Sequence, residues 1–205
     1  MSYPYRVVVT RSVNESVAGK DSSHNSISLT PILGEGRMKD LLCEALEKKG
    51  FQKQADGTFS RTKDGVNEVF DPKTMTITAT AETTGEIKKE KTVEAHGDAT
   101  NRTSVERARA HAEAEVGAQL EKNLKITDAE RTKKQEELTA AARKALDDSE
   151  KARVQDLNEA TLEVYAEALK EKARTMGEVK EIRENKKDNG AGGTEYELVI
   201  KVGEG

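Results

Sequence analysis

The stretch Thr103–Gly177 contains no proline and repeats Ala and Leu among paired charges. Proline inside a helix removes a backbone donor and clashes with the preceding turn, so a long run without it permits extended helix. Two helix starts are legible within the run. Thr103-Ser104-Val105-Glu106 and Thr127-Asp128-Ala129-Glu130 both fit the capping box, in which a hydroxyl and the Glu three residues later satisfy each other's orphan backbone donors. With a turn near Asn123–Thr127, the pattern predicts a helical hairpin. Its first helix, Ser104 to about Leu124, is Ala-rich and includes Val105, Val116, Leu120 and Leu124. Gly117 lies in its middle, at a cost of roughly 1 kcal/mol against Ala, and marks either a close crossing or a tolerated surface position.

The second helix offers Leu138, Ala142, Ala145 and Leu146 as a seam. Together Val116, Leu120, Leu124, Leu138, Ala142, Ala145 and Leu146 form the candidate interaction seam, with the small residues expected at a close helix contact. Glu130 and Lys134, like Asp147 and Lys151, have the acid-before-base spacing that stabilises a helix by about 0.2–0.5 kcal/mol per pair. Such pairs tune an exposed surface and do not fold it. Asp147-Asp148-Ser149-Glu150 fits either the cap of a new helix or the outer side of a continuous one. Beyond it Leu157, Thr161, Val164, Tyr165, Ala168, Leu169, Ala173 and Met176 make a broader apolar face, and Gly177 ends the helix.

Short strands are expected on either side of this run. Tyr5, Val7 and Val9 alternate with Arg6, Val8 and Thr10, and Met75, Ile77, Ala79 and Ala81 alternate with Thr76, Thr78, Thr80 and Glu82. Ser12–Ser26 has a loop composition, while Ile27–Leu33, broken by Pro31, reads as an edge or extended segment. Arg37–Lys49 carries Met38, Leu41, Leu42, Ala45 and Leu46 at helical spacing, with Gly50 as left-handed terminator. Asp56-Gly57 and Asp64-Gly65 suit tight hairpin turns, and Asp71-Pro72-Lys73-Thr74 is another turn. From Thr83 to Thr100 the alternation weakens, although Ile87 and Val93 fit an edge strand with a strongly charged outer face, and Lys88, Lys89, Glu90 and Lys91 read as charges protecting that edge. Two closing strands hold Val179 and Ile182, then Tyr196, Leu198, Ile200 and Val202, around a loop from Lys186 to Gly193.

The predicted fold is therefore α+β: a small, mostly antiparallel sheet with a packing helix, interrupted by an inserted long antiparallel helical hairpin. Residues 1–100 and 157–205 form one α+β domain from both chain ends, and 101–156 form the projecting arm. With 35% charged and 3% aromatic residues and no Trp, the core must be small for 205 residues. A net charge of -4 gives no bulk attraction to nucleic acid or an anionic membrane surface. The absence of a signal segment and of a run near 20 apolar residues predicts no membrane insertion and a cytoplasmic protein. Cys43 is the only cysteine, which agrees with a reducing compartment and reads as a small hydrophobe in a helix.

Site chemistry is sparse. His24, His96 and His111 have no metal-ligand spacing around them, so no metal or other cofactor is expected. Gly34-Glu35-Gly36 and Gly190-Ala191-Gly192-Gly193 complete neither a phosphate loop nor a dinucleotide fingerprint. No catalytic, cofactor-binding or metal residue is assigned.

Tyr165-Ala166 with Leu169, then Gly177, Val179, Glu181 and the closing Leu198-Val199-Ile200 strand, resemble the end of a small uncharacterised chloroplast and cyanobacterial family. An opening strand, the helix Met38-Lys39-Asp40-Leu41-Leu42-Cys43-Glu44-Ala45-Leu46 and a glycine-ended turn into Phe51 resemble its front. That family is similar to bacterial ternary-system proteins associated with FtsH-like or MoxR-type AAA ATPases and von Willebrand factor A partners. The resemblance implies a partner of one of those kinds and no catalytic residue. The leading expectation is a non-enzymatic adaptor or assembly subunit whose helical arm, coiled-coil-like, makes protein contacts. The alternative is a structural homo-oligomer assembled through the arm, and below it a small-molecule enzyme with an unrecognised pocket.

Overall fold

The computed structural model describes residues 4–98, 102–188 and 194–203. Their order is β1 (Pro4–Ser26), α1 (Glu35–Lys48), β2 (Gln52–Lys53), β3 (Phe59–Lys63), β4 (Val66–Asp71), β5 (Thr76–Asp98), α2 (Arg102–Asn123), α3 (Asp128–Met176), β6 (Glu178–Asp188) and β7 (Thr194–Gly203). Five strands form one antiparallel sheet in the order β1-β5-β4-β3-β2, and β6-β7 form a separate two-stranded sheet. The fold is α+β. By contact the chain divides into a first unit, Met1–Gly19 with Thr83–Ala141, and a second, Lys20–Glu82 with Ala142–Gly205. Strands β1 and β5 and helix α3 each contribute to both.

In the second unit the expected helix is present as α1, with Met38, Leu41, Leu42, Ala45 and Leu46 buried. Gly50 follows at φ 90°, the left-handed position that an L side chain resists. Lys63 pairs with Val66 across a turn whose central residues, Asp64 and Gly65, have φ 53° and 77°. Two positive φ values match the twist of the flanking strands, which is why Asp-Gly serves there. Phe59, Phe70 and Ile77 share one core with the apolar face of α1 and with Ala160, Val164 and Ala168 of α3. Farther along the same sheet, Val66, Ala79 and Ala81 pack on Ala142 and Leu146.

That sheet face also buries a charge cluster. Arg61 and Glu68 are cross-strand partners, joined by Nε–Oε2 at 3.1 Å and Nη2–Oε1 at 3.2 Å. Asp156 of α3 lies 2.9 Å from Arg61 and 3.0 Å from Lys63. Arg61 also donates to the Lys49 carbonyl at 3.0 Å and stacks 4.6 Å from the Phe51 ring. Burial alone would raise the Asp156 carboxyl, but its bonds to Lys63 and Arg61 outweigh this and hold it below the ordinary range.

Two readings change. Ser12–Ser26, expected as a loop, is strand; the strand read around Ile87 and Val93 is present as the far half of β5, which continues to Asp98. Within the first unit these segments pair with each other, as Arg6 with Glu94, Thr10 with Thr92 at 2.9 Å and Asn14 with Glu86 at 3.0 Å show. Met75, expected as the first inward residue of β5, instead takes φ 55° in the preceding turn.

Helix α3 is continuous over 49 residues and does not break near Asp147–Ser149. Ser149 donates to the Leu146 carbonyl at 3.0 Å, and buried Arg153 donates to the same carbonyl at 3.0 Å and to Ser149 Oγ at 3.2 Å. The polar residues there bond back to their own helix instead of opening a new one.

Candidate interaction surface

The first unit is a two-stranded ribbon with helix laid upon it. α3 begins at the capping box read from the sequence: the Thr127 N–H donates to Glu130 at 2.9 Å, and the Glu130 N–H donates to Thr127 Oγ1 at 3.3 Å. Lys89 of β5 reaches Glu130 at 2.7 Å and the Lys125 carbonyl at 3.1 Å. Its hydrogen bond, with those from Thr127, pulls the Glu130 carboxyl down to about 2. Arg131 grips Glu15 of β1 through Nε–Oε1 at 2.5 Å and Nη2–Oε2 at 3.0 Å, and holds that carboxyl below its usual range.

Next along the helix, Leu138 lies against Gly85, and a Cβ at Gly19 would overlap the backbone of Leu138 and Thr139. Glycine is required at Gly19 because the helix backbone passes where a side chain would stand. Val93, Ala112 and Val9 form a small apolar cluster in this unit.

The proposed seam residues fall in different places. Leu124 and Leu138 are buried in the first unit; Ala142 and Leu146, with Ala145 partly buried beside them, face the sheet of the second. The side chains of Val116 and Leu120, and Gly117 between them, lie outside the described residues, as does the Gly190–Gly193 loop. The described seam members are thus covered by their own chain. What α2 leaves open is its other side: Ala108 and Ala112 are buried, whereas Ala110, Ala114 and Ala118 are exposed among Arg107, Arg109, His111, Glu113 and Glu115. This second alanine row was legible in the sequence as a repeat of four, the spacing that stacks side chains on one helix face.

Elsewhere the chemistry is that of surfaces. Cys43 is half-buried, and burial, with Asp40 and Glu47 nearby, pushes its thiol up, away from the thiolate that nucleophilic chemistry needs. His24 meets Thr78 at 3.0 Å, and His111 is exposed on α2. Among the described residues no three His, Cys, Asp or Glu side chains are grouped as a metal site. A shallow groove lined by Ile27, Leu29, Pro31, Met38 and Met75 is apolar, and another, lined by Glu159, Glu163, Glu167, Lys170 and Glu184, is charged. No helix of the described residues is long and apolar enough to cross a membrane.

A model of FtsH ternary system domain X5 matches residues 1–203. The chain belongs to that family. No curated protein and no solved structure matches it. The match takes in the helical middle as well as the two ends on which the resemblance rested, and it concerns the ternary-system side of that resemblance, not the chloroplast and cyanobacterial proteins.

Proposed function

We propose that this member of the FtsH ternary system family is a non-enzymatic adaptor or assembly subunit, which uses its helical first unit to contact an FtsH-type AAA ATPase or a von Willebrand factor A protein. The observation that carries the proposal is the family match over residues 1–203. The exposed face of α2 supports it: Ala110, Ala114 and Ala118 leave a row of small side chains on which another helix can approach closely, and the surrounding charges set its register. The charged residues leave the contact wet and exchangeable, as suits a subunit that assembles and releases.

A photo-crosslinking amino acid placed at Ala114 in the full-length chain, expressed in the native host, tests this. Adducts with an FtsH-type ATPase or a von Willebrand factor A protein are expected from position 114 and not from exposed Lys73. Equal labelling from both positions would remove the role given to α2, and absence of any such adduct would remove the assembly reading.

A further inference from the structure

The β6-β7 hairpin is held to α3 by the Lys170–Glu184 ion pair, but no further strand extends it. It is a sheet of two strands only, and a two-stranded hairpin is marginal in water unless further strands or a helix cover it. Its apolar side chains are open: Ile182, Val199 and Val202 are 37%, 40% and 41% exposed, and Met176 just before it is 74% exposed. These stand among the few large apolar side chains that the described residues leave exposed, and they concentrate at this one place.

The two edges of the hairpin differ. β6 has an irregular register between Val179 and Glu181 and carries charges at Lys180, Glu181, Arg183 and Glu184. A bulge with clustered charge is how an edge strand avoids pairing with another molecule. β7 has neither device. Its regular run Tyr196-Glu197-Leu198-Val199-Ile200-Lys201-Val202 has only Glu197 and Lys201 as charges, and among the described residues it pairs with β6 alone.

We infer that β7 pairs antiparallel with β7 of a second copy of this chain, about a two-fold axis at Val199. The register follows from charge. Centring on Val199 sets Glu197 of each copy opposite Lys201 of the other, Leu198 opposite Ile200, and Tyr196 opposite Val202. A slip to Leu198 keeps Lys201 opposite a carboxylate, Glu195, but sets Glu197 against Val199, and a slip to Ile200 sets Lys201 against Val199, so only the Val199 register puts neither Glu197 nor Lys201 opposite an apolar side chain. Cross-strand pairs of opposite charge or of two apolar side chains stabilise a sheet, and burying an ion opposite an apolar group does not.

The groups involved are available. Glu197 has no charged partner among the described residues, while Lys201 meets Glu181 at 2.6 Å and is still 60% exposed. Two marginal hairpins become one four-stranded sheet whose β7 strands are interior and whose outer strands are the protected β6 edges. The interface is isologous, as a two-fold dimer requires. This self-pairing stands apart from the assembly role proposed above, and its failure would leave that role untouched.

Sedimentation velocity of the full chain across the micromolar range tests it, with far-UV circular dichroism to confirm that each variant folds. The natural chain should show a reversible monomer–dimer equilibrium. Glu197→Lys sets like charges against each other twice and should weaken the dimer by about tenfold. Glu197→Lys combined with Lys201→Glu restores opposite charges and should recover most of that loss. Val199→Lys brings two ammonium groups onto the axis and should abolish the dimer. A chain that stays monomeric throughout would overturn the inference, as would a dimer indifferent to Glu197→Lys and Val199→Lys. A double variant weaker than either single variant would overturn the register.

Discussion

Arg61 and Glu68 are not symmetrical partners, and the difference gives a quantitative test of the second unit's core. Both hydrogen bonds described for the Glu68 carboxylate come from Arg61, and the Glu68 side chain is 1% exposed. Arg61 has more support: Asp156 at 2.9 Å, the Lys49 carbonyl at 3.0 Å and the Phe51 ring. Arg61→Met therefore strands a buried carboxylate, at about 3–5 kcal/mol. Glu68→Gln leaves the guanidinium neutralised by Asp156 and should cost about 1–3 kcal/mol, the loss of charge-assisted hydrogen bonds. At about 2–4 °C per kcal/mol for a chain of this size, Arg61→Met should lower the melting midpoint by roughly 10 °C, and Glu68→Gln by about half that. Urea unfolding followed by circular dichroism at pH 7 measures both costs. Replacing both, as Arg61→Met with Glu68→Leu, should recover most of the loss, since an apolar pair of similar volume can replace a buried ion pair. Equal costs for the two single variants, or a double variant no more stable than Arg61→Met alone, would refute this account of the cluster.

Other positions yield narrower predictions. Gly19→Val should destabilise the first unit by about 1–3 kcal/mol or more, because its side chain must displace helix backbone at Leu138 and Thr139; hydrogen exchange over α3 would report the loss. Thr127→Ala removes half of the capping box and should cost about 1 kcal/mol, read as faster exchange in the first turn of α3. Acid should loosen the same turn. The Glu130 and Glu15 carboxyls are depressed in the folded chain, so their contribution is complete above the ordinary carboxylate range and is lost as pH falls. For Glu130 the loss runs from the ordinary value of 4.5 down to about 2, and NMR shifts of residues 127–131 should titrate with their midpoint near the lower end of that window. Leu42→Ala, at a side chain with no exposure, should cost about 2–5 kcal/mol in chemical denaturation.

The parts of this fold that were legible in the sequence are those where burial is apolar or where backbone geometry demands a residue type. α1 was readable because Met38, Leu41, Leu42, Ala45 and Leu46 recur at helical spacing and are all buried, and the Asp64-Gly65 turn because its positive φ values exclude most side chains. The capping box at Thr127 was readable for a similar reason, since only a hydroxyl and a carboxylate at that spacing close both bonds. The ribbon of β1 and β5 was not readable, although its exposure alternates. Its inward positions mix Val13, Val17 and Ile87 with Glu15, Gly19, Gly85 and Lys89, and the latter four interrupt the apolar periodicity. Each is nevertheless matched from α3: Glu15 by Arg131, Lys89 by Glu130, and the glycines by the close passage of Leu138. A strand face that is complemented by ions and by helix backbone looks like a loop until the helix is placed on it. The same reasoning bears on the interaction surface, because the residues legible as a seam, Leu138, Ala142, Ala145 and Leu146, were apolar for the sake of their own sheet. A surface kept for a partner need not be the most apolar one, which directs attention to the exposed alanines of α2 and the unprotected edge of β7.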